Sequence, residues 1–279
     1  MAAIKSLTKV PSLLGSNPVL FVPIVALYLL TSIQTISQSL FPLAGALVAL
    51  VVSGLLFLAT PLFHGGTIGM TNEAATAGRT SLGSFVEFGK QYYLSVFGAY
   101  LGFLAIFIAL FIAGVIAAAI VAVSYVAVES VAILVVGGLV GLVFVGLYVG
   151  LSLALQFYAH AIVIEAYGAV DSLKRSVAVV RQNLRSVIGY FAILMAGGVA
   201  VLVVYSGVLW LSPVDIFAAP GTVSLSTVLF ETLLMVVILA PLGAVYLVYS
   251  VLFYRTLLGE TPVLTGPGQS TDAAVESSA

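Results

Sequence analysis

Glu231 is the residue best placed to do chemistry, because it interrupts the apolar run from Leu225 to Tyr254, otherwise uncharged. An ionisable group inside a membrane span is costly, and where one stands it is a candidate for carrying protons, ions or substrate. Glu231 lies about two turns into that run. His64, His160 and Glu165 stand near the ends of other apolar runs. They could pass a proton, yet contact with lipid headgroups or a hydrogen bond to a neighbouring helix is the simpler use. His160 and Glu165 are five positions apart, a spacing that does not put both on one helix face. Glu129 falls in an expected turn and reads as a solvated residue. The remaining group is basic: Lys174, Arg175, Arg181 and Arg185 follow closely along the chain and could hold anionic headgroups or a partner protein.

Other chemistry is excluded or unsupported. The chain contains no cysteine, so disulfides, thiolate metal sites and cysteine nucleophiles are ruled out. With two histidines a histidine-rich metal site is not expected, and no cofactor motif is present. There is no nucleophile elbow, no P-loop and no pair of inward carboxylates, so no enzyme activity is expected. The net charge is −1 and no basic stripe exists to hold phosphates, which argues against a nucleic-acid partner.

These few polar residues must be positioned by membrane-spanning elements. Of the 279 residues 62% are hydrophobic and 7% charged, and the mean hydropathy is +1.26. A soluble domain is typically about 25% charged, so most of this surface must face lipid. In lipid every backbone polar group is satisfied within the chain, which leaves helices or closed barrels. Barrel strands alternate in segments of about ten residues, whereas Leu101 to Val123 is continuously apolar. The expected fold class is therefore all-α, a polytopic transmembrane helical bundle.

Spans are expected at Val19 to about Ser37, Phe41 to Phe63, two between Tyr92 and Glu165, Val187 to Leu211, and Leu225 to Tyr254. Between Tyr92 and Glu165 the only internal charge is Glu129, so two long helices broken near Ser124–Ser130 or three shorter ones both fit. Lys and Arg accumulate on the cytoplasmic side of membrane proteins. With two helices there, all nine basic residues fall on one side, with Glu129 and Asp215 opposite. That choice gives six spans with both termini cytoplasmic, in a cell membrane. Each of the two long helices would be about 33 residues, near 50 Å, against a hydrocarbon core of about 30 Å. They must tilt, bend or project. Lys5 and Lys9 before an apolar run look like a signal peptide, but no convincing cleavage site follows, and a retained first helix is expected. The single transmembrane domain is expected over residues 1–258, and residues 259–279, rich in Pro, Gly, Ser and acidic groups, as a disordered cytoplasmic tail. Pro61 and Pro241 could kink their helices, and the glycine pairs 98/102, 137/141 and 146/150 could mark packing seams.

An internal repeat organises the domain. Thr80–Gly98 and Asp171–Gly189 share Ser81/Ser172, Leu82/Leu173, Val86/Val177, Gln91/Gln182, Ser95/Ser186, Val96/Val187 and Gly98/Gly189. A fainter copy, Ser6–Asn17, aligns with Ser172–Asn183, and Phe63-His64, Phe157-Tyr158 and Phe253-Tyr254 rhyme at helix ends. Three units follow, about 1–64, 74–160 and 166–257, each an amphipathic segment before a helix up and a helix down. In the third, Leu173, Val177, Val180 and Leu184 form one apolar face. Lys174, Arg181 and Arg185 flank that face, and Asp171 can cap the helix. Such a helix would lie in the membrane interface with each charge worth about 1 kcal/mol near anionic lipid.

NPVLFVPIVALYLL, TPLFHGGTIGM, GRTSLGSFVEFGK and AVDSLKRSVAVVRQNLRSVIGY together resemble uncharacterised archaeal six-helix membrane proteins. More distantly they resemble the membrane portion that accompanies some glycerophosphodiester phosphodiesterases. The resemblance implies an archaeal cell membrane and carries over no active-site residue, since no phosphodiesterase domain is present. The expected function is a non-enzymatic membrane scaffold or accessory protein. Its partners would be membrane lipids, with another membrane or cytoplasmic protein possible. The competing expectation is a transporter or channel for an apolar or lipidic substrate.

Overall fold

The computed structural model describes residues 2–211 and 224–260. Asp215, expected in an outer loop, and residues 261–279 of the expected tail lie outside these. Among the described residues all regular structure is helical, with no strand. Six helices are long and apolar enough to cross a membrane, so this is a multi-pass membrane protein.

The chain opens with two short helices, α1 (Ala2–Leu7) and α2 (Val10–Ser16), and a 3-10 turn at Pro18–Leu20. The spans are α3 (Phe21–Leu40), α4 (Pro42–Ala77), α5 (Leu82–Val128), α6 (Val131–Leu155) continued by α7 (Tyr158–Glu165), α9 (Leu184–Leu211) and α10 (Leu225–Leu257). Between α7 and α9 runs α8 (Ala169–Gln182). Pro42 opens α4, where a missing N–H costs nothing. Pro61 and Pro241 sit inside α4 and α10 without ending either helix.

Two helices stand between Tyr92 and Glu165, as the charge argument chose, and they break at Glu129–Ser130. Their lengths differ from expectation. Helix α5 has 47 residues, about 70 Å, because the amphipathic segment expected before it is its first turns. Likewise α4 continues past Phe63 to Ala77, where Gly78 takes the left-handed conformation (φ 78°) that closes helices. The polar residues of Thr71 to Gln91 thus belong mainly to two helix ends.

The described chain forms two compact units. The first holds Met1–Tyr93 and Arg185–Ala279. Its core is the end of α10, where Val248 to Tyr254 are all buried. Against it pack α1, α2, α3 and α4. From α9, Tyr190 stacks on Phe253 at 4.4 Å and meets Tyr249 at 4.8 Å. Stacked aromatic rings add about 1 kcal/mol per pair beyond buried area.

The second unit holds Leu94–Leu184, an α5–α6 hairpin with α7 and α8. Glu129 takes φ 50° in its turn. The Gly98/Gly102 pair is a seam: a Cβ at either would stand 3.1 Å from Ala169 or Leu173 of α8. Gly137 packs against Val121 across the hairpin, while Gly146 and Gly150 have nothing within 4 Å and mark no seam among the described residues.

Candidate functional site

The polar residues gather where amphipathic segments dock onto helix ends, and each dock solves the same problem with different residues. Helix α8 carries Ser176 to the point where α6 stops and α7 begins. Ser176 Oγ donates to the carbonyl of Ala154 (2.7 Å) and accepts from the N–H of Phe157 (3.1 Å). Those two backbone groups would bond Tyr158 and Leu153 in an unbroken helix. One serine therefore satisfies both groups freed by the break, in a place where unpaired backbone costs several kcal/mol. The buried face of α8 is consequently Ser172, Ser176, Val179 and Val180, rotated from the expected Leu173, Val177, Val180 and Leu184. Leu184 is exposed. Ser176 turns inward because the neighbouring helix offers backbone partners, while the buried Ser172 donates to the Ala169 carbonyl of its own helix (2.7 Å). Asp171 is not the cap: Gly168 holds that position, and Asp171 lies in the first turn.

The first turns of α5 dock on α4 with almost no polar contact. Phe85 meets Phe63 edge-on at 5.4 Å, and Phe85 and Phe88 fill the space left by Gly66 and Gly69. A Cβ on either glycine would collide with those rings. Gly89 faces Leu62 in the same way, and Tyr93 Oη donates to the Leu58 carbonyl (2.9 Å).

The third dock sets α1 on α10. The hydroxyls of Ser6 and Thr256 lie 3.0 Å apart, and Ser6 is buried. Asn17, closing α2, donates from Nδ2 to the carbonyl of Gly78 (3.2 Å). It also donates from its backbone N–H to Leu13 (3.0 Å). Asn183 closes α8 identically, donating from N and Nδ2 to Val179. The matched positions Ser6/Ser172, Val10/Ser176, Leu13/Val179 and Leu14/Val180 are buried in both segments.

The sequence-predicted site residues are distributed as follows. Arg175 and Glu165 come together: Nε lies 3.0 Å and 3.1 Å from the two carboxylate oxygens and Nη2 2.7 Å from Oε2. Arg175 also stands over the Tyr167 ring at 5.9 Å. Both side chains are largely covered (27% and 18% exposed), so this cation is held within the protein. Lys174 makes an exposed pair with Asp171 (3.0 Å), worth about 0.3–0.5 kcal/mol. Arg181 is exposed in the last turn of α8, and Arg185 is exposed on α9, in the first unit. His64 is exposed on α4. His160 is buried in α7, edge-on to Phe157 at 5.5 Å. Glu231 is half-buried in the second turn of α10.

Arg255 is the residue that sequence reasoning undervalued. It counted only as one of the nine basic residues placed on one side of the membrane, yet it is 9% exposed. Nη1 donates to Asn72 Oδ1 of α4, and Nη2 pairs with Glu260 at 2.8 Å. Gly259, at φ 83°, turns the chain back so that Glu260 N–H reaches the Arg255 carbonyl. The signal was available: Arg255 follows the buried Phe253-Tyr254 pair by one residue. Among the described residues no group of three metal-ligating side chains occurs. The arrangement suits positioning and surface charge.

A family model described as a domain of unknown function (DUF7847) matches residues 1–257. No curated protein and no solved structure matches the chain.

Proposed function

The chain belongs to the DUF7847 family, and from that premise we propose that it is a non-enzymatic membrane scaffold whose basic surface holds anionic lipid headgroups. The observation that carries this reading is the division of labour in α8. Its serines serve the protein, Arg175 is held by Glu165, and Lys174 and Arg181 are left exposed. Val170 beside them is 65% exposed, an apolar contact of the kind that seats a helix at an interface. Native mass spectrometry of protein purified under mild conditions tests it. Wild type is expected to retain anionic phospholipid, and Lys174→Glu with Arg181→Glu to weaken that retention at least about tenfold. Unchanged retention would contradict the reading, and a stoichiometric protein lost with the same substitutions would move it from lipid to partner. Arg175 is left alone in this test because its loss would strand Glu165.

The scaffold is built from three copies of one unit whose amphipathic segments dock by one rule. What supports this is the docking rule: α8 sits on the end of α6–α7, the start of α5 on α4, and α1 on α10. Each segment thus binds the returning helix of the unit before it, and the first binds the last. Placement in a cell membrane with both termini cytoplasmic rests on the distribution of the nine basic residues, and an archaeal source on the sequence resemblance alone. Single cysteines at Lys5 and Glu129, in a chain with no native cysteine, test topology. An impermeant maleimide added outside intact cells should label the second and not the first; the reverse would invert the protein.

A second reading, handling of an apolar substrate, is favoured by open grooves along the α5–α6 hairpin.

A further inference from the structure

One groove, of about 460 Å³, is lined by Gly114, Ala118 and Val121 of α5 and by Gly137, Gly141 and Phe144 of α6. A second, of about 380 Å³, shares Gly114, Ala118 and Phe144 with it and continues to Phe107 and Tyr148. Together they follow α5 from Phe107 to Val126, a rise of about 28 Å. That length matches a hydrocarbon core of about 30 Å. The lining is almost wholly apolar. Its hydroxyl-bearing residues stand toward the two ends, Tyr125 in the first groove and Tyr148 in the second, the placing expected of aromatic residues at membrane interfaces. The floor is open because glycine and alanine stand where larger side chains would fill it. At Gly141 nothing lies within 4 Å of where a Cβ would be. The size falls within the roughly 300–1,000 Å³ of ligand sites.

We infer that this hairpin binds the long apolar chain of a membrane lipid in a defined site, lying along α5 between Tyr125 and Tyr148. The inference names a ligand class for the second reading and rests on the same grooves, but it does not need the chain to be moved. Binding can hold where transport fails, and the test below reads binding alone. A chain in this groove meets apolar side chains on both helices. Ordinary annular lipid, by contrast, would treat the hairpin and the exposed face of α9 alike.

The test uses the full protein in vesicles of phosphatidylcholine containing a small fraction of phosphatidylglycerol with a mid-chain diazirine. After illumination, labelled peptides are mapped by mass spectrometry. Labelling of residues 107–126 and 134–148 is expected to exceed that of the exposed α9 residues Leu202 and Val203. Gly141→Phe should reduce hairpin labelling about tenfold, a loss of about 1.4 kcal/mol. Gly146→Phe, at an equally open glycine outside the grooves, should leave it unchanged and shows that an added phenyl ring is tolerated. A free diazirine fatty acid distinguishes the sources: equal capture assigns recognition to the chain, and weaker capture adds the headgroup. Labelling spread evenly over hairpin and α9, insensitivity to Gly141→Phe, or hairpin peptides cross-linked to a second copy of the chain would overturn the inference.

Discussion

The docks of α8 on α6–α7 and of α5 on α4 meet the same requirement by opposite means. Where the returning helix breaks, at Gln156–Phe157, a serine supplies the missing donor and acceptor. Where it runs on unbroken, as α4 does through Thr67 and Met70, the stretch that meets Phe85 and Phe88 lies within one continuous helix. There glycines recess its surface and phenylalanines fill the recess. The difference teaches that backbone continuity of the receiving helix decides which chemistry the docking segment carries. A phenylalanine at Ser176 would remove the hydroxyl that bonds both the Ala154 carbonyl and the Phe157 N–H.

Substitutions can break this contrast, and the largest effect belongs to the glycine dock. Gly66→Val forces a side chain into the ring and backbone of Phe85 and is expected to cost about 3 kcal/mol, read as loss of folded protein in thermal melts in detergent. Ser176→Ala is next, at about 2 kcal/mol, because it removes two hydrogen bonds of a buried side chain together. Hydrogen exchange should rise at Phe157 and its neighbours, and unchanged exchange there would contradict the pinning role. Arg175 and Glu165 should couple by about 1 kcal/mol in a double-mutant cycle of Arg175→Gln and Glu165→Gln, since both are largely covered. Ala166 takes the left-handed conformation at φ 58° while closing α7. Ala166→Gly should therefore stabilise the second unit by about 0.5 kcal/mol, as glycine relieves that strain against its own greater chain entropy.

The fold was largely legible in the sequence because continuous apolar runs are a direct consequence of the bilayer. The choice of two helices between Tyr92 and Glu165 followed from charge, and the break at Glu129–Ser130 falls at the end of the expected Ser124–Ser130 stretch. Helix ends were less legible. Gly78 and Ala77 are polar-flanked, and nothing in hydropathy says that α4 should continue past Phe63 to reach them. The docking faces were misread for a related reason. An apolar stripe on α8 was assigned to lipid, but the helix meets protein backbone, and only hydroxyl residues at the shared positions Ser6 and Ser172 hinted at that. Arg255 was hidden because a charge next to an apolar run looks like a collar residue. Its burial depends on Asn72 and Glu260, which are brought to it by α4 and by the turn at Gly259.

The proposed docking rule, by which the first segment sits on the last returning helix, is tested most directly at Ser6 against Thr256. The chain has no cysteine of its own, and the two hydroxyl oxygens are 3.0 Å apart, so Ser6→Cys with Thr256→Cys places two thiols within reach of a disulfide. Mild oxidation in intact membranes is expected to join them within one chain, giving a faster-migrating monomer that dithiothreitol reverses. Two thiols that stay free under these conditions, or that link only between chains, would contradict the account.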